Sequence, residues 1–208
     1  MATVKIPAGP VSLNGELVLP AAAASVVLFV HGSGSSRLSP RNIFVAQVLQ
    51  QHGIGTLLFD LLTTSEDRDY AVRFDIDLLT QRLLAATAWL RENPETKALR
   101  IGYFGASTGA AAALRAAAEI GNAIAAVVSR GGRPDLTGEA ALVQVTSPTL
   151  LIVGSEDYTV LELNEQAFAW MKCEKKLVLV PGATHLFEEP GTLEQAAQYA
   201  AGWFLKHF

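Results

Sequence analysis

The sequence predicts a doubly wound α/β fold, in which a single eight-stranded, mostly parallel sheet is flanked by helices. Two observations predict it. Short runs rich in Val, Leu and Ile recur between longer segments of helical periodicity, the pattern left by strands buried on both faces. With 208 residues, half of them hydrophobic and 17% charged, the chain is long enough for one domain, residues 1–208, with a sizeable core. That composition is too apolar for a disordered segment.

Taken in order, the strand candidates begin with Val4 to Ile6 and Val11 to Leu19, with a turn expected at Asn14-Gly15. Six more follow at Val26 to Val30, Thr56 to Asp60, Arg100 to Phe104, Ala123 to Val128, Thr149 to Val153 and Lys176 to Val180. Helical or mixed segments join these six, as parallel pairing requires. Ser39 followed by Pro40 reads as an N-cap and first-turn proline, opening a helix that ends near Gly53. Leu79, Leu83, Ala86 and Leu90 share one helical face, and the alanine-rich Ala110 to Ala118 suits a thin helix lying close on the sheet. A capping-box pattern at Thr192 and Gln195 opens the last helix, whose Leu193, Ala197, Ala200 and Phe204 repeat at helical spacing.

Charge and cysteine usage narrow the function classes. Sixteen basic and twenty acidic residues give a net charge of -4, and Lys and Arg form no cluster, so nucleic acid is not an expected partner. The single cysteine, Cys173, has no intramolecular partner. The first twenty residues carry no long apolar run, and the longest apolar stretch, Ala21 to Val30, falls well short of the roughly 20 residues a spanning helix needs. A cytoplasmic location, with no signal peptide and no membrane association, is therefore the expectation.

The chemistry concentrates in Ile101-Gly102-Tyr103-Phe104-Gly105-Ala106-Ser107-Thr108-Gly109, where a strand runs into a helix through Gly-x-Ser-x-Gly, the nucleophile-elbow pattern. Small residues two positions either side of Ser107 let strand and helix approach and leave its hydroxyl exposed, beside a helix N-terminus that favours developing negative charge. A serine hydroxyl needs a base in reach and a group to orient that base. The strand Thr149 to Val153 leads into Gly154-Ser155-Glu156-Asp157-Tyr158-Thr159-Val160, and Lys176 to Val180 leads into Pro181-Gly182-Ala183-Thr184-His185. Ser, Asp and His thus each follow a separate strand at its carboxyl end, where ligand sites collect in open α/β sheets.

From about Ser25 onward the chain resembles the α/β-hydrolases, in particular the compact dienelactone hydrolase-like kind. The resemblance implies Ser107 as nucleophile, His185 as base and Asp157 as acid, the last in the Gly-x-x-Asp-x-x-Val setting of Gly154, Asp157 and Val160. Glu156 beside Asp157, and Asp135 after the preceding strand, are the alternatives. Dienelactone hydrolases proper use cysteine as nucleophile, so serine here favours ester hydrolysis. The oxyanion donors implied are the backbone N–H groups of Thr108 and Ser33, with Gly34 as fallback, in the turn His31-Gly32-Ser33-Gly34-Ser35-Ser36. His31, His52 and His207 read as structural or solvated, and Asp60 as a loop-anchoring acceptor.

Arg37, Arg41, Arg130 and Arg133 all fall in loops expected at the carboxyl edge. Each is either a loop brace or a bidentate contact for a substrate carboxylate, and Arg41 and Arg130, with Gly34, are the substrate-binding candidates. The expected substrate is a small-molecule carboxylic ester or lactone of short chain, because about twenty residues between Val128 and Thr149 leave no room for a lid domain. The expected chemistry needs no cofactor and no metal, in a monomer or homodimer. Acyl transfer to an acceptor other than water, or ligand binding without turnover, would use the same residues.

Overall fold

A computed structural model describes residues 2–208. Eight strands alternate with six helices: β1 (Ala2–Ala8), β2 (Val11–Val18), β3 (Ser25–Val30), α1 (Pro40–Gln51), β4 (Gly55–Phe59), α2 (Ile76–Glu92), β5 (Arg100–Ala106), α3 (Thr108–Ile120), β6 (Ala126–Arg130), α4 (Glu139–Gln144), β7 (Thr149–Gly154), α5 (Tyr158–Trp170), β8 (Lys175–Val180) and α6 (Thr192–His207). The sheet order is β1-β2-β4-β3-β5-β6-β7-β8. Strand β2 pairs antiparallel with both β1 and β4, and every other pairing is parallel.

The strand side chains divide between two apolar layers. Val26, Leu28 and Val30 of β3 join Tyr103 of β5 and the inner faces of α2 and α3, while Val27 and Phe29 join Phe104, Val45 and Leu49 of α1, and Ala200 and Phe204 of α6. The period of two along β3 thus feeds both faces at once, which is why its sequence reads as an unbroken apolar run. Leu79, Leu83, Ala86 and Leu90 are all buried.

Three boundaries differ from the sequence expectation. The first hairpin turns at Gly9-Pro10, where Gly9 has φ +67°, and not at Asn14-Gly15. Gly15 sits inside β2, opposite Val4 and Phe59, where a Cβ would press on Val4 and Leu57. The strand expected at Ala123 to Val128 is Ala126–Arg130, because α3 runs to Ile120 and residues Gly121–Ala123 form a 3-10 turn. Arg130 therefore ends a strand, paired with Ala106, and does not lie in a loop. Gly191, in the left-handed region, caps α6 in place of Thr192, whose hydroxyl donates to the Glu189 carbonyl. At α1, Ser39 Oγ does accept from the Asn42 N–H.

Residues 131–148, between β6 and β7, form a 3-10 turn (Pro134–Thr137) and α4. They lie along α3: the Thr137 hydroxyl donates to the Ala111 carbonyl, and Leu142 enters the core beside the α3 alanines. Among the described residues, no helix is long and apolar enough to cross a membrane.

Candidate active site

Ser107 joins β5 to α3 with φ +51° and ψ -124°, a backbone conformation that costs a non-glycine residue about 1–3 kcal/mol. The surrounding chain holds it there. Its N–H donates to the Arg130 carbonyl (3.3 Å), and its carbonyl accepts from the N–H groups of Ala110 (3.1 Å) and Arg133 (3.0 Å). The flanking glycines are required by close approach. A Cβ on Gly105 would overlap the backbone of Ala110, and one on Gly109 would overlap the carbonyl oxygens of Val30 and His31.

The histidine and its acid come from two loops tied to each other. Ser155 N–H donates to the Val180 carbonyl, Glu156 N–H to the Ala183 carbonyl, and Gly182 N–H to Ser155 Oγ. A Cβ on Gly154 would overlap the Ala183 carbonyl, so only glycine lets β7 pass this close to the histidine loop. The result is a 2.7 Å hydrogen bond from His185 Nδ1 to Asp157 Oδ2, in which Asp157 is the more buried partner. That bond directs Nε2 to be the ring nitrogen free for proton transfer. The two alternative acids are occupied elsewhere, Glu156 with the hydroxyls of Ser155 and Tyr158 and Asp135 with Arg133.

The turn after β3 packs directly on the serine, since a Cβ on Gly32 would lie 3.0 Å from Ser107 Cβ. Thr108 N–H, the first donor of α3, has no acceptor among the described residues. Ser33 N–H differs from the expectation: it donates to Thr108 Oγ1 at 2.8 Å, the nearest acceptor at the mouth of the helix. Gly34 also departs from it. With φ +67° it turns toward Arg73 and lies outside the cavity that holds Ser107. That cavity, of about 210 Å³, brings Ser33, Ser107, Arg41, Arg130 and His185 together.

His31 is structural. Its Nδ1 bonds the Gly32 carbonyl and its Nε2 accepts from the Leu61 N–H, so the neutral ring fastens the Gly32 turn to the loop after β4. Burial lowers its pKa. The unfolded chain therefore takes up a proton below the ordinary pKa of about 6.5 that the folded chain refuses, and the stability His31 contributes above that pH is lost as pH falls toward the folded pKa. Thermal midpoints measured from pH 7.5 to 5 are expected to fall more steeply in the wild type than in His31→Gln; equal slopes would refute this.

Asp60 accepts from both the Arg37 backbone and its guanidinium, the anchoring role expected of it. Cys173 is half-buried, with its thiol pKa raised by burial, and lies against Thr149, beside Glu174 and Lys175. Sequence reasoning missed Phe187. This non-glycine residue has φ +56°, and its buried ring lies 5.7 Å from the Arg130 guanidinium. Only its apolar character in a polar loop hinted at an anchor. Among the described residues, no group of three or more His, Cys, Asp or Glu is placed to hold a metal ion.

Comparison with known proteins agrees with this architecture. The family model described as "Dienelactone hydrolase family" matches residues 44–206. A crystal structure described as dienelactone hydrolase from Anabaena variabilis is 54% identical, covers all of this chain and 97% of its own, and superposes with a TM-score of 0.97. An esterase of Pyrococcus furiosus shares the fold at 20% identity, with a TM-score of 0.81 over 99% of this chain and 92% of its own. Two Mycobacterium tuberculosis proteins, from two strains and provisionally named phosphoribosyl transferases, are 56% identical over 204 residues. That match covers 98% of this chain and 46% of each relative, so the chain spans about half the length of the curated relatives it matches.

Proposed function

We propose, because the chain belongs to the dienelactone hydrolase family, that it hydrolyses short-chain carboxylic esters, lactones among them, through an acyl-enzyme on Ser107. The observation that carries this reading is the Asp157–His185 hydrogen bond, whose histidine lines the same cavity as Ser107. The name phosphoribosyl transferase belongs to relatives more than twice as long, and this site offers acyl-transfer chemistry.

In this mechanism Ser107 Oγ attacks the ester carbonyl while His185 Nε2 takes its proton, and Asp157 stabilises the imidazolium that forms. The oxyanion meets Thr108 N–H, and also Ser33 N–H once the Thr108 hydroxyl gives it up. His185 returns the proton to the leaving alcohol. Water, deprotonated by the same histidine, then attacks the acyl carbon, and His185 hands that proton to Ser107 Oγ as the acid leaves. The steps draw on no cofactor.

Size supports the preference for short chains. About 210 Å³ is below the roughly 300–1,000 Å³ of pockets that enclose drug-sized ligands, and Ala106 and Leu186 are the apolar residues that line it. A long acyl chain finds little wall there against which to gain binding energy. Measured kcat/KM is expected to be about tenfold or more higher for acetate and butyrate esters than for octanoate. Octanoate esters hydrolysed as efficiently as butyrate would refute the reading.

A further inference from the structure

Two asparagines are buried among the described residues, and their amides are treated differently. Asn164, 0% exposed, donates from Nδ2 to the carbonyls of Gly132 (3.0 Å) and Val160 (2.7 Å). Asn42, 3% exposed, makes no hydrogen bond through its side chain to any described residue. Its place on α1 makes this unexpected. Asn42 lies three, four and seven residues ahead of Val45, Ala46 and Leu49, so it opens the stripe along which α1 packs on the sheet. An apolar residue suits such a stripe, but this first position borders the Ser107 cavity.

The two ends of the amide differ. Oδ1 is sealed without a partner. Nδ2, equally without a partner, is the end that stays accessible, and it opens on the cavity that Asn42 lines with Ser107 and His185. The first turn of α1 is closed at this residue: the Asn42 N–H donates to Ser39 Oγ (3.4 Å), and the Ile43 N–H donates to the Ser39 carbonyl (2.9 Å). Ser35 and Ser39 line the same cavity and add hydroxyls, so this wall offers hydrogen bonds without charge.

We propose that Asn42 sets specificity: its Nδ2 donates to an uncharged oxygen of the substrate, a hydroxyl or a ketone a few bonds from the scissile carbonyl. This rests on the ester-hydrolase reading above and names the substrate class for it, short oxygenated esters. A hydrocarbon chain seated against Asn42 strips water from the amide without replacing its hydrogen bond, whereas an oxygen at that point replaces it. Sites built around such a donor discriminate against the analogue that lacks the oxygen more sharply than apolar pockets discriminate by size.

The test uses esters matched in shape. Ethyl 3-hydroxybutyrate and ethyl acetoacetate are each compared with ethyl 3-methylbutyrate, and 2-hydroxyethyl butyrate with propyl butyrate. The readout is the kcat/KM ratio of each oxygenated ester to its hydrocarbon match, compared between wild type and Asn42→Leu so that intrinsic reactivity cancels. On the acyl or the alcohol side, that ratio is expected to be at least about tenfold higher in wild type, and the side that shows it locates the oxygen. A merely structural role for Asn42 would lower both members of a pair together and leave the ratio unchanged. If the leucine variant fails to fold, Asn42→Asp serves, because a carboxylate has no N–H to give the ketone of ethyl acetoacetate and that ratio should fall. Equal ratios in wild type and a folded variant overturn the proposal. A second readout needs no turnover: 3-hydroxybutyramide should raise the thermal midpoint of wild type more than 3-methylbutyramide does, and lose that advantage in the variant. If no ester is hydrolysed yet this difference appears, the hydrolase reading fails and the Asn42 contact stands. If esters are hydrolysed with equal ratios and no such difference, the Asn42 contact fails and the hydrolase reading stands.

Discussion

Ser107→Ala is expected to lower ester turnover by about 10⁴-fold or more while leaving the thermal midpoint within about two degrees of wild type. The activity term is large because nucleophile, base and acid act as a unit, so removing one removes nearly the whole contribution. The stability term is small because alanine inherits the same φ +51° backbone and the hydroxyl makes no hydrogen bond among the described residues. Ser107→Gly separates strain from chemistry. It should be equally inactive yet more stable than the alanine variant by about 1 kcal/mol, since glycine adopts this conformation without a Cβ penalty. Residual turnover of Ser107→Ala near the wild-type rate would remove Ser107 from the mechanism.

Gly109→Ala carries the largest expected effect on stability, and two principles predict opposite signs for it. Helix propensity alone favours alanine by about 1 kcal/mol in the first turns of α3. Packing opposes it. The added Cβ would overlap the carbonyl oxygens of Val30, at the end of β3, and His31, in the turn after it, which are backbone atoms and cannot turn aside as a flexible side chain could. We expect the overlap to win, at about 4 kcal/mol or more, which for a domain of this size lowers the thermal midpoint by roughly 10 °C. Because relief requires α3 to back away from β3, the elbow that holds Ser107 would shift and turnover would fall as well. An unchanged or higher midpoint would show that propensity governs and that the elbow is looser than described.

These two residues show what was legible in the sequence. Gly-x-Ser-x-Gly is a local pattern whose glycines are demanded by local approach, so nine consecutive residues suffice to reveal it. The order Ser107, Asp157, His185 was legible for a similar reason: each residue follows its own strand, and parallel strands bring their carboxyl ends to one edge. Choosing Asp157 over Glu156 was less direct, because adjacent residues on one turn differ only in which way they point.

Long-range competition hid the rest. Asn14-Gly15 carries strong turn chemistry, yet the neighbours of β2 on both sides claim it for the sheet, and Gly9 supplies the positive φ in its place. The Ser33 N–H, expected to be an oxyanion donor, donates to Thr108 Oγ1, 75 residues away, a pairing that sequence spacing does not report. Four arginines near one edge looked alike, and only the placement of Asp60, Asp135 and Glu188 shows that three are paired and Arg130 is not.

Whether Ser107 is an activated nucleophile is decided by labelling with a fluorophosphonate probe, with mass spectrometry locating the adduct. One adduct is expected, on Ser107, lost in Ser107→Ala and strongly slowed when His185 is replaced. A folded protein that takes no label, or takes it on another residue, would contradict it.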